Sequence, residues 1–374
     1  MKILVFSYDW LNNYYFAGGA PKRIYNVYKI LSERYNAEIE LITGATPNSR
    51  NKYEKINENF TINYVGFKKP LLISAMSYSF ISTIDSIKGK EYDIVANHIA
   101  PHIPTATYLL PGINRKTVYI IHNYYSKIYF KKYKLMGILP FVNEKLMYKY
   151  GKYFIAVSEY IENQIKKENK DVTVKTIYNG IDDHLFETPK QDPIIDKDYI
   201  LYFGRLEIYQ KGLDILLKAY KDLDIDDVYL VFAGGGKKQH LLELKNLVKK
   251  MDLENKVIIK YKVSEQEKIS LIDNCLFGVM PSRYEAFPIT LLEFMARGRP
   301  LIVSKAGCMG EVIERSNSGL VIDLSEEALK TAIKKMLSMN LTELSKNAKD
   351  FSKNFRWDKI AKEEYNFYKE ILRE

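Results

Sequence analysis

Two carboxylates stand eight positions apart in the segment YEAFPITLLEFMARGRP, residues 284–300. Pro288 suits the first position of a helix and Gly298 the position just past its end. Glu285 then lies in the loop before this helix and Glu293 inside it, with backbones roughly 12 Å apart. A glycosidase pair would need its carboxyl groups roughly 5 to 9.5 Å apart. The spacing therefore favours a site in which the two carboxylates bind the two ends of one long ligand. The helix N-terminus would face an anionic group between these ends.

A nucleotide sugar has this form, because hydroxyl groups lie on both sides of its diphosphate. The same pattern also has a plainer interpretation. In an ordinary helix, Glu293 would be a surface residue and Glu285 would only complement the helix dipole.

Further candidates follow the strand pattern YILYF in the turn GRLEIYQKG. This turn contains Gly204, Arg205 and, six residues after the arginine, Lys211. Two cations that converge on one cleft are what a diphosphate requires, whether it is part of a substrate or a leaving group. The glycines of GGGKKQ, residues 234–239, follow the next strand pattern and suit a backbone close to a nucleotide, but they lack the P-loop pattern.

The first strand pattern leads to Gly18 and Gly19, which precede Pro21. A glycine pair at the start of a helix exposes backbone N–H groups and lets a phosphate approach closely. The pair also fits an ordinary tight turn, because it is not part of a GxGxxG motif.

Three histidines require interpretation. His122 follows the strand pattern TVYII, where it could hydrogen-bond a ligand hydroxyl or phosphate, act as a base, or have a purely structural role. His98 and His102 have the i, i+4 spacing of a metal pair, but Pro101 interrupts the helix that would align them and no third ligand accompanies them. We therefore predict no metal site.

Strand patterns and helical patterns alternate along the chain. Runs such as KILVFS, TVYIIH, YILYFG and PLIVS are separated by amphipathic stretches such as KGLDILLKAYKDL. This alternation predicts parallel sheets covered by helices, and 374 residues suffice for two of them. We predict an α/β protein with two Rossmann-like domains, which bind ligands at the carboxyl ends of their strands. The polar segment 182–198, which contains two prolines, is the predicted linker.

The composition predicts a globular, cytoplasmic protein. The chain is 47% apolar with only two cysteines, and it has neither a secretory signal pattern nor eighteen consecutive apolar residues. Its net charge is +10. The stretch 126–152 combines lysines with aromatic residues and has Glu144 as its only acid, so it fits an anionic membrane surface and equally a solvated helical face. No nucleic-acid-binding signature directs this charge to a groove, so we predict no nucleic acid partner.

In their order and spacing, these motifs resemble the retaining GT-B glycosyltransferases of glycosyltransferase family 4, over essentially the whole chain. The resemblance includes an AVSE junction, where Ser158 is a predicted N-cap, and an NGID turn with a later phenylalanine. The residues that carry it are Gly18, Gly19, His122, Ala156 to Glu159, Asn179 to Asp182, Phe186, Arg205, Lys211, Glu285 and Glu293.

The resemblance implies a nucleotide-sugar donor in a cleft between two facing domains. Glu293 would bind the ribose and Glu285 would lie beside the transferred sugar. Arg205 and Lys211 would stabilise the departing diphosphate, and His122 would contact the sugar. Many family members have glycine where this chain has a proline without an N–H group, so other residues must donate there. The implied donor-binding residues are Gly18, Gly19, Gly204, Phe287, Pro288, Ile289, Thr290 and Glu293.

The resemblance also implies an acceptor domain over residues 1–185, a donor domain over 186–356, and a last helix over 357–374 that crosses back to the first domain. The implied activity moves a hexose-type sugar, with retention, to a glycan, lipid-linked or other hydroxyl acceptor. The leaving phosphate would serve as base, so neither cofactor nor metal is expected, and a peripheral place on the cytosolic membrane face would suit a lipid-linked acceptor. The alternatives are another nucleotide-sugar enzyme of this fold, such as an epimerase, and a non-enzymatic polyanion-binding protein.

Overall fold

The computed structural model describes residues 1–11, 19–85, 87, 91–99, 106–124, 138–223, 225 and 227–374. It divides the chain into two compact units: residues 1–180 together with 357–374, and residues 181–356. Each unit is an α/β domain built on a mostly parallel sheet, which confirms the predicted pair of Rossmann-like domains. The segment 182–198, predicted as the linker, lies in the second unit.

Fourteen strands lie within the described residues. They are β1 (Lys2–Ser7), β2 (Glu38–Gly44), β3 (Tyr53–Asn57), β4 (Phe60–Val65), β5 (Ile94–Ile99), β6 (Thr117–Ile121), β7 (Tyr153–Ala156), β8 (Thr173–Thr176), β9 (Asp198–Arg205), β10 (Val228–Gly235), β11 (Val257–Tyr261), β12 (Gly278–Met280), β13 (Leu301–Ser304) and β14 (Gly319–Ile322).

The described helices cover the faces of these sheets or connect their strands. They are α1 (Gly19–Arg34), α2 (Leu71–Asp85), α3 (Pro111–Asn114), α4 (Ile138–Tyr150), α5 (Glu159–Glu168), α6 (His184–Glu187), α7 (Ile208–Lys211), α8 (Leu213–Lys221), α9 (Lys238–Lys250), α10 (Glu265–Asn274), α11 (Ile289–Ala296), α12 (Met309–Ser316), α13 (Glu326–Ser338), α14 (Thr342–Ser352) and α15 (Trp357–Ile371). Short 3-10 turns occupy Thr107–Leu109 and Lys353–Phe355.

The sheet of the first unit has the strand order β3-β4-β2-β1-β5-β6-β7-β8. Its neighbouring strands are parallel except at the edge, where β3 runs antiparallel to β4. The strand patterns read from the sequence did not include β3, because its residues YEKIN are largely polar and exposed. The central strands β1, β5 and β6 are almost entirely buried, as expected for a parallel sheet covered on both faces.

The last helix, α15, packs against α1 within the first unit. This confirms the predicted return of the chain to the N-terminal domain. Trp357 and Ile360 join the core formed by the first sheet. On the same helix, Glu364 forms an ion pair with Arg23 of α1 at 2.6 Å, and neither side chain is exposed to solvent. Arg23 also donates a hydrogen bond to the backbone oxygen of Ile177 at 3.1 Å, which helps to offset the cost of burying its charge.

The sheet of the second unit has the order β11-β10-β9-β12-β13-β14, and its neighbouring strands are parallel.

Helix starts in both units have the capping residues that sequence rules predict. Ser158 accepts a hydrogen bond from the Ile161 amide at 3.3 Å, which confirms it as the N-cap of α5. Ser264 and Glu267 form a capping box at the start of α10.

A single glycine separates α7 from α8 and thereby fixes the end of α7. Gly212 has φ of +65°, and a Cβ at this position would overlap the backbone oxygen of Pro281. Only glycine meets both requirements without strain. The preceding residue, Lys211, is therefore held at the carboxyl side of the sheet, where the chain leaves β9.

Candidate functional site

Helix α11 begins one residue later than predicted. Pro288 occupies the N-cap position with φ −77° and ψ 121°, so the prediction that it is the first helical residue was wrong by one position. Gly298 lies past the end of the helix with φ of +66°, where it was predicted. The amides of Ile289 and Thr290 belong to the first turn, in which N–H groups have no acceptor inside the helix. These two residues are partly exposed, so the start of α11 is accessible to solvent.

Glu293 is buried rather than exposed, so the plainer interpretation of it as a surface residue is wrong. Its carboxylate accepts a hydrogen bond from Lys268 of α10 at 2.8 Å. Lys268 is also buried and forms a second ion pair with Glu265 at 2.7 Å. Desolvation lowers the pKa of Lys268, but the two carboxylates outweigh this effect, and the net shift is upward. Glu293 is therefore one half of a buried ion pair at the middle of α11.

Glu285 forms an ion pair with Lys211, and the Nζ of the lysine donates directly to the carboxylate. The two side chains are only 13% and 10% exposed. The sequence predicted separate roles for them, with the lysine on a diphosphate and the glutamate beside a sugar. In the structure the two charges balance each other, so any ligand that meets one of them also meets its partner.

Arg205 lies at the end of β9 with its side chain 55% exposed, and its nearest carboxylate is that of Glu207 at 4.0 Å. Its backbone oxygen accepts a hydrogen bond from the Tyr202 hydroxyl at 2.7 Å. Burial raises the pKa of Tyr202 well above its usual value, Glu285 raises it further, and the charge of Arg205 opposes both. Tyr202 thus lies in the field of both groups, so the structure brings Arg205, Glu285 and Lys211 to one edge of the sheet.

Gly204 directly precedes Arg205, and a side chain at this position would clash with neighbouring groups, as would one on the adjacent strand β10. A Cβ on Gly204 would come within 2.9 Å of the Tyr202 hydroxyl, and a Cβ on Gly234 of β10 would overlap the Gly204 carbonyl oxygen. The ends of β9 and β10 can approach this closely only with glycine at both positions. Gly234, the first glycine of the segment 234–239, therefore has a packing role at this edge.

The loop before α11 is held by packing on both sides. Phe287 is buried, with its ring 6.1 Å from that of Phe355, and a Cβ on Gly307 would overlap the Glu285 carbonyl oxygen. Gly307 also lines a hollow of about 340 Å³ in the second unit. The sequence reasoning passed over this hollow, although the turn KAGCMGE after β13 has the strand, glycine and helix order that it recognised elsewhere. Its lining residues are Lys305, Gly307, Gly310, Glu311, Glu314 and Arg315.

In the first unit, Gly19 is the first residue of α1, and Pro21 lies in the first turn as predicted. Gly18 lies outside the described residues. The backbone amide of Gly19 therefore stands at a helix N-terminus, where N–H groups lack intrahelical acceptors.

His122 directly follows β6 and contacts a second histidine. Its Nε2 lies 2.9 Å from Nδ1 of His98 in β5, and the two rings are stacked. Desolvation and the charge of Arg23 lower the pKa of His122 to about 3, so its ring is neutral at physiological pH. Desolvation, together with His122 and Arg23, also lowers the pKa of His98 well below its usual value.

His98 and His102 were the two histidines with the i, i+4 spacing of metal ligands. His102 lies outside the described residues, and His98 is hydrogen-bonded to His122. Over the described part of the chain, no group of three histidine, cysteine, aspartate or glutamate side chains could hold a metal ion.

Residues 125–137 of the basic stretch 126–152 lie outside the described residues, and α4 covers most of the remainder. Glu144 is buried, and Lys145 forms an ion pair with Glu168 of α5. Lys152 forms an exposed ion pair with Glu374 at 3.0 Å. Among the helices that the structure describes, none combines the length and the apolar character needed to cross a bilayer.

Asp9 is a further group at the carboxyl end of β1 that the sequence reasoning did not select. The residue is 8% exposed, and within the described residues its Oδ1 has no hydrogen-bond partner. Desolvation by burial raises the pKa of this carboxyl to about 6. A buried, unpaired carboxyl at the ligand-binding edge of a Rossmann-like sheet is a candidate for contact with a substrate hydroxyl. Its position two residues after KILVFS was the available signal.

Models of two protein families match the chain. The model described as "Glycosyltransferase Family 4" matches residues 17–185, and the one described as "Glycosyl transferases group 1" matches residues 186–356. An uncharacterized glycosyltransferase of Methanocaldococcus jannaschii is 29% identical over 329 residues, which cover 78% of this chain and 89% of the relative.

Solved structures are similar over the whole chain. Sucrose-phosphate synthase from Thermosynechococcus elongatus superposes with a TM-score of 0.78 at 17% identity, covering 100% of this chain and 99% of the other. The Anabaena protein HepE, solved in complex with UDP-glucose, superposes with a TM-score of 0.72 at 19% identity, covering 99% and 100%. At such identities the likeness shows the fold alone.

We predict that Asp9→Asn makes the protein more stable at neutral pH. The pKa of Asp9 is about 6 in the folded state, whereas the unfolded state releases this proton near pH 3.8. The favourable contribution of this group is therefore complete below pH 4 and lost as the pH rises through 6. Denaturant unfolding should show the variant up to about 3 kcal/mol more stable at pH 7.5, with the difference vanishing near pH 4.

The matched control is Asp171→Asn, which changes an exposed aspartate in the same unit. It should leave the pH dependence of unfolding as in the unsubstituted protein. If Asp9→Asn gives the same increment at pH 4 and pH 7.5, the carboxyl is not protonated in the folded state at pH 5.

Proposed function

This chain belongs to glycosyltransferase family 4 and has the GT-B fold, and we propose that it moves a hexose-type sugar, with retention, from a nucleotide-diphosphate sugar to a hydroxyl acceptor. The observation that carries the proposal is the paired Glu285 and Lys211 beside the exposed Arg205 at the edge of the second sheet. The position matches the rule that such sheets bind ligands at the carboxyl ends of their strands.

In the proposed reaction the acceptor hydroxyl attacks the anomeric carbon as the bond from that carbon to the diphosphate oxygen breaks. The acceptor proton passes to the departing phosphate, so no protein nucleophile and no metal are needed. Arg205 stabilises the diphosphate as its charge grows, because a guanidinium can donate two parallel hydrogen bonds to phosphate oxygens. The amides of Gly19, Ile289 and Thr290 supply further donors at helix starts.

The two carboxylates serve the two ends of the donor. Glu293 accepts hydrogen bonds from the ribose hydroxyls, while its ion pair with Lys268 holds the carboxylate in place. Glu285 lies beside the transferred sugar, where its negative charge favours the positive charge that develops on the anomeric carbon. His122 contacts a hydroxyl of that sugar in the proposed complex.

The base, the sugar and the acceptor are open, and UDP-glucose is the first donor to test because HepE was solved with it. An epimerase of the same fold would convert the donor without an acceptor, so donor incubated alone separates the two activities.

We expect a UDP, GDP or ADP sugar to raise the melting temperature, because a ligand that binds only the folded state stabilises it. The matching donor should then be consumed with acceptor present and stay unchanged without it. Conversion of the donor alone would favour the epimerase. Salt-sensitive binding of polyanions with no shift from any nucleotide sugar would contradict the proposal.

Lys211→Met and Glu285→Gln should each lower kcat by about 10²-fold or more, because each leaves its partner's charge unbalanced at the reacting centre. The double variant should be no slower than the worse single variant, since residues that act as one unit are not additive. Lys218→Met, which breaks the exposed pair with Glu326, is the control and should keep full activity. Additive losses in the double variant would mean that the two residues act separately.

We also propose that the protein meets its acceptor at an anionic membrane surface. Four side chains of α2, namely Ile73, Met76, Phe80 and Ile84, are exposed and follow the i, i+3, i+7, i+11 spacing of one helical stripe. Exposed apolar stripes of this size mark interaction sites. Lys69 is exposed just before the helix, and the chain carries a net charge of +10, which complements anionic lipid.

Flotation with phosphatidylserine vesicles at low and high salt tests this contact. The unsubstituted protein should float, and Met76→Ser with Phe80→Ser should weaken binding by roughly tenfold or more through lost apolar burial. Leu242→Ser, at an exposed leucine of the second unit, should change nothing. Absence of flotation at low salt would remove the membrane contact and leave the transferase proposal standing.

A further inference from the structure

A chain of hydrogen bonds runs from the C-terminal helix to His122. The Tyr368 hydroxyl donates to Oε1 of Glu364 at 2.6 Å, and the Tyr28 hydroxyl lies 3.2 Å from that of Tyr368. Nε2 of His98 lies 2.8 Å from the Tyr28 hydroxyl, and its Nδ1 lies 2.9 Å from Nε2 of His122. The links before His122 are all buried, so water does not compete for these bonds.

The direction of the chain follows from its anchored end. The Glu364 carboxylate is paired with Arg23, so it can only accept hydrogen bonds. Tyr368 has one hydroxyl proton and gives it to this carboxylate, so its oxygen must accept from Tyr28. Burial raises the pKa of both tyrosines well above the usual value, so both hydroxyls keep their protons.

The same logic continues through the histidines. Tyr28 has given its only proton to Tyr368, so its oxygen accepts from Nε2–H of His98. Because His98 is neutral, its Nδ1 has no proton and must accept from Nε2–H of His122. His122 is also neutral and therefore has an unprotonated Nδ1.

We propose that Glu364 is a positioning residue, which fixes the proton of His122 on Nε2 and makes Nδ1 a hydrogen-bond acceptor. His122 is partly exposed, and no residue that the structure describes is hydrogen-bonded to its Nδ1. Resting on the proposed function, His122 then accepts a hydrogen bond from a sugar hydroxyl and cannot donate one to it. The ring selects a hydroxyl at that position of the sugar over any group that can only accept.

One other arrangement keeps the bond between Tyr368 and Glu364. In it Tyr28 donates to His98, and both histidines carry their protons on Nδ1. This arrangement leaves the two tyrosine oxygens 3.2 Å apart without a proton between them, so it has one hydrogen bond fewer.

Nitrogen-15 NMR of histidine-labelled full-length protein at pH 7 distinguishes the two arrangements, because protonated and unprotonated ring nitrogens resonate separately. His122→Phe assigns the signals. We expect the Nε2–H form for both His98 and His122. A proton on Nδ1 of His122 would overturn the proposal.

Tyr368→Phe should reverse the direction of the hydrogen bonds that join Tyr28, His98 and His122. Tyr28 then loses its acceptor on α15 and donates to His98 instead, so both histidines move their protons to Nδ1. The kcat/KM for the donor should fall roughly tenfold, as an acceptor at the sugar becomes a donor. Tyr365→Phe is the matched control: it removes a hydroxyl from the same helix and keeps the ring, which contacts Tyr35 and the Lys369 ammonium, so it should leave both readouts unchanged.

The outcomes separate this inference from the proposed function. A reversal of the protons in Tyr368→Phe with no change in kcat/KM would overturn the role of Nδ1 at the sugar. Unreversed protons in a folded Tyr368→Phe protein would overturn the part assigned to Glu364. An inactive unsubstituted protein with the Nε2–H form would remove the transferase proposal but still support the tautomer. If Tyr368→Phe does not fold, the spectrum of the unsubstituted protein decides.

Discussion

The buried ion pair between Arg23 and Glu364 is the interaction on which the first unit depends. Neither side chain is exposed, so each charge is stable there only because the other is present. The pair ties α15 to α1 although the two residues are separated by 341 positions in the sequence. It also supplies a fixed charge next to Tyr368 and Tyr28, and this charge orders the protons along the path to His122. This one ion pair thus holds the last helix in place and fixes the position of the proton on the His122 ring, at the carboxyl edge of the sheet.

The second unit contains two further ion pairs with little exposure to solvent. Each of the two glutamates that stand eight positions apart is paired with a lysine from a distant part of the chain. Glu285 pairs with Lys211, and Glu293 pairs with Lys268. A carboxylate with so little exposure would be protonated or destabilising without such a partner. The lysines therefore balance the charge of both glutamates and hold their carboxylates in place, which suits binding of a ligand at two fixed points.

The sequence predicted more of the residues of this candidate site than of the residues that hold them in position. Glu285, Glu293 and Arg205 could be found because their spacing and their place after strand patterns are local features. Lys268 could not, because it lies 25 residues before Glu293, and only the packing of α10 on the sheet makes them neighbours. His98 was considered only with His102, since i, i+4 spacing is visible in a sequence and a contact between adjacent parallel strands is not. The edge strand β3 was missed for a similar reason, because its pairing with β4, rather than an apolar pattern, makes it a strand.

The pairing of Lys211 with Glu285 changes which charged group of the candidate site would act on each part of the proposed donor. A diphosphate that approached an unpaired Glu285 would be repelled, since like charges at a few ångströms in a partly desolvated site cost several kcal/mol. Because Lys211 pairs with Glu285, the pair as a whole is neutral, and this repulsion would be largely cancelled. In the proposed complex, Lys211 would then not be a free cation for the phosphates, and the net positive charge near them would come from Arg205, whose side chain is exposed. In the proposed reaction, Arg205 would therefore bind the diphosphate and stabilise its departure, whereas the paired Glu285 would act on the sugar when positive charge develops at its anomeric carbon.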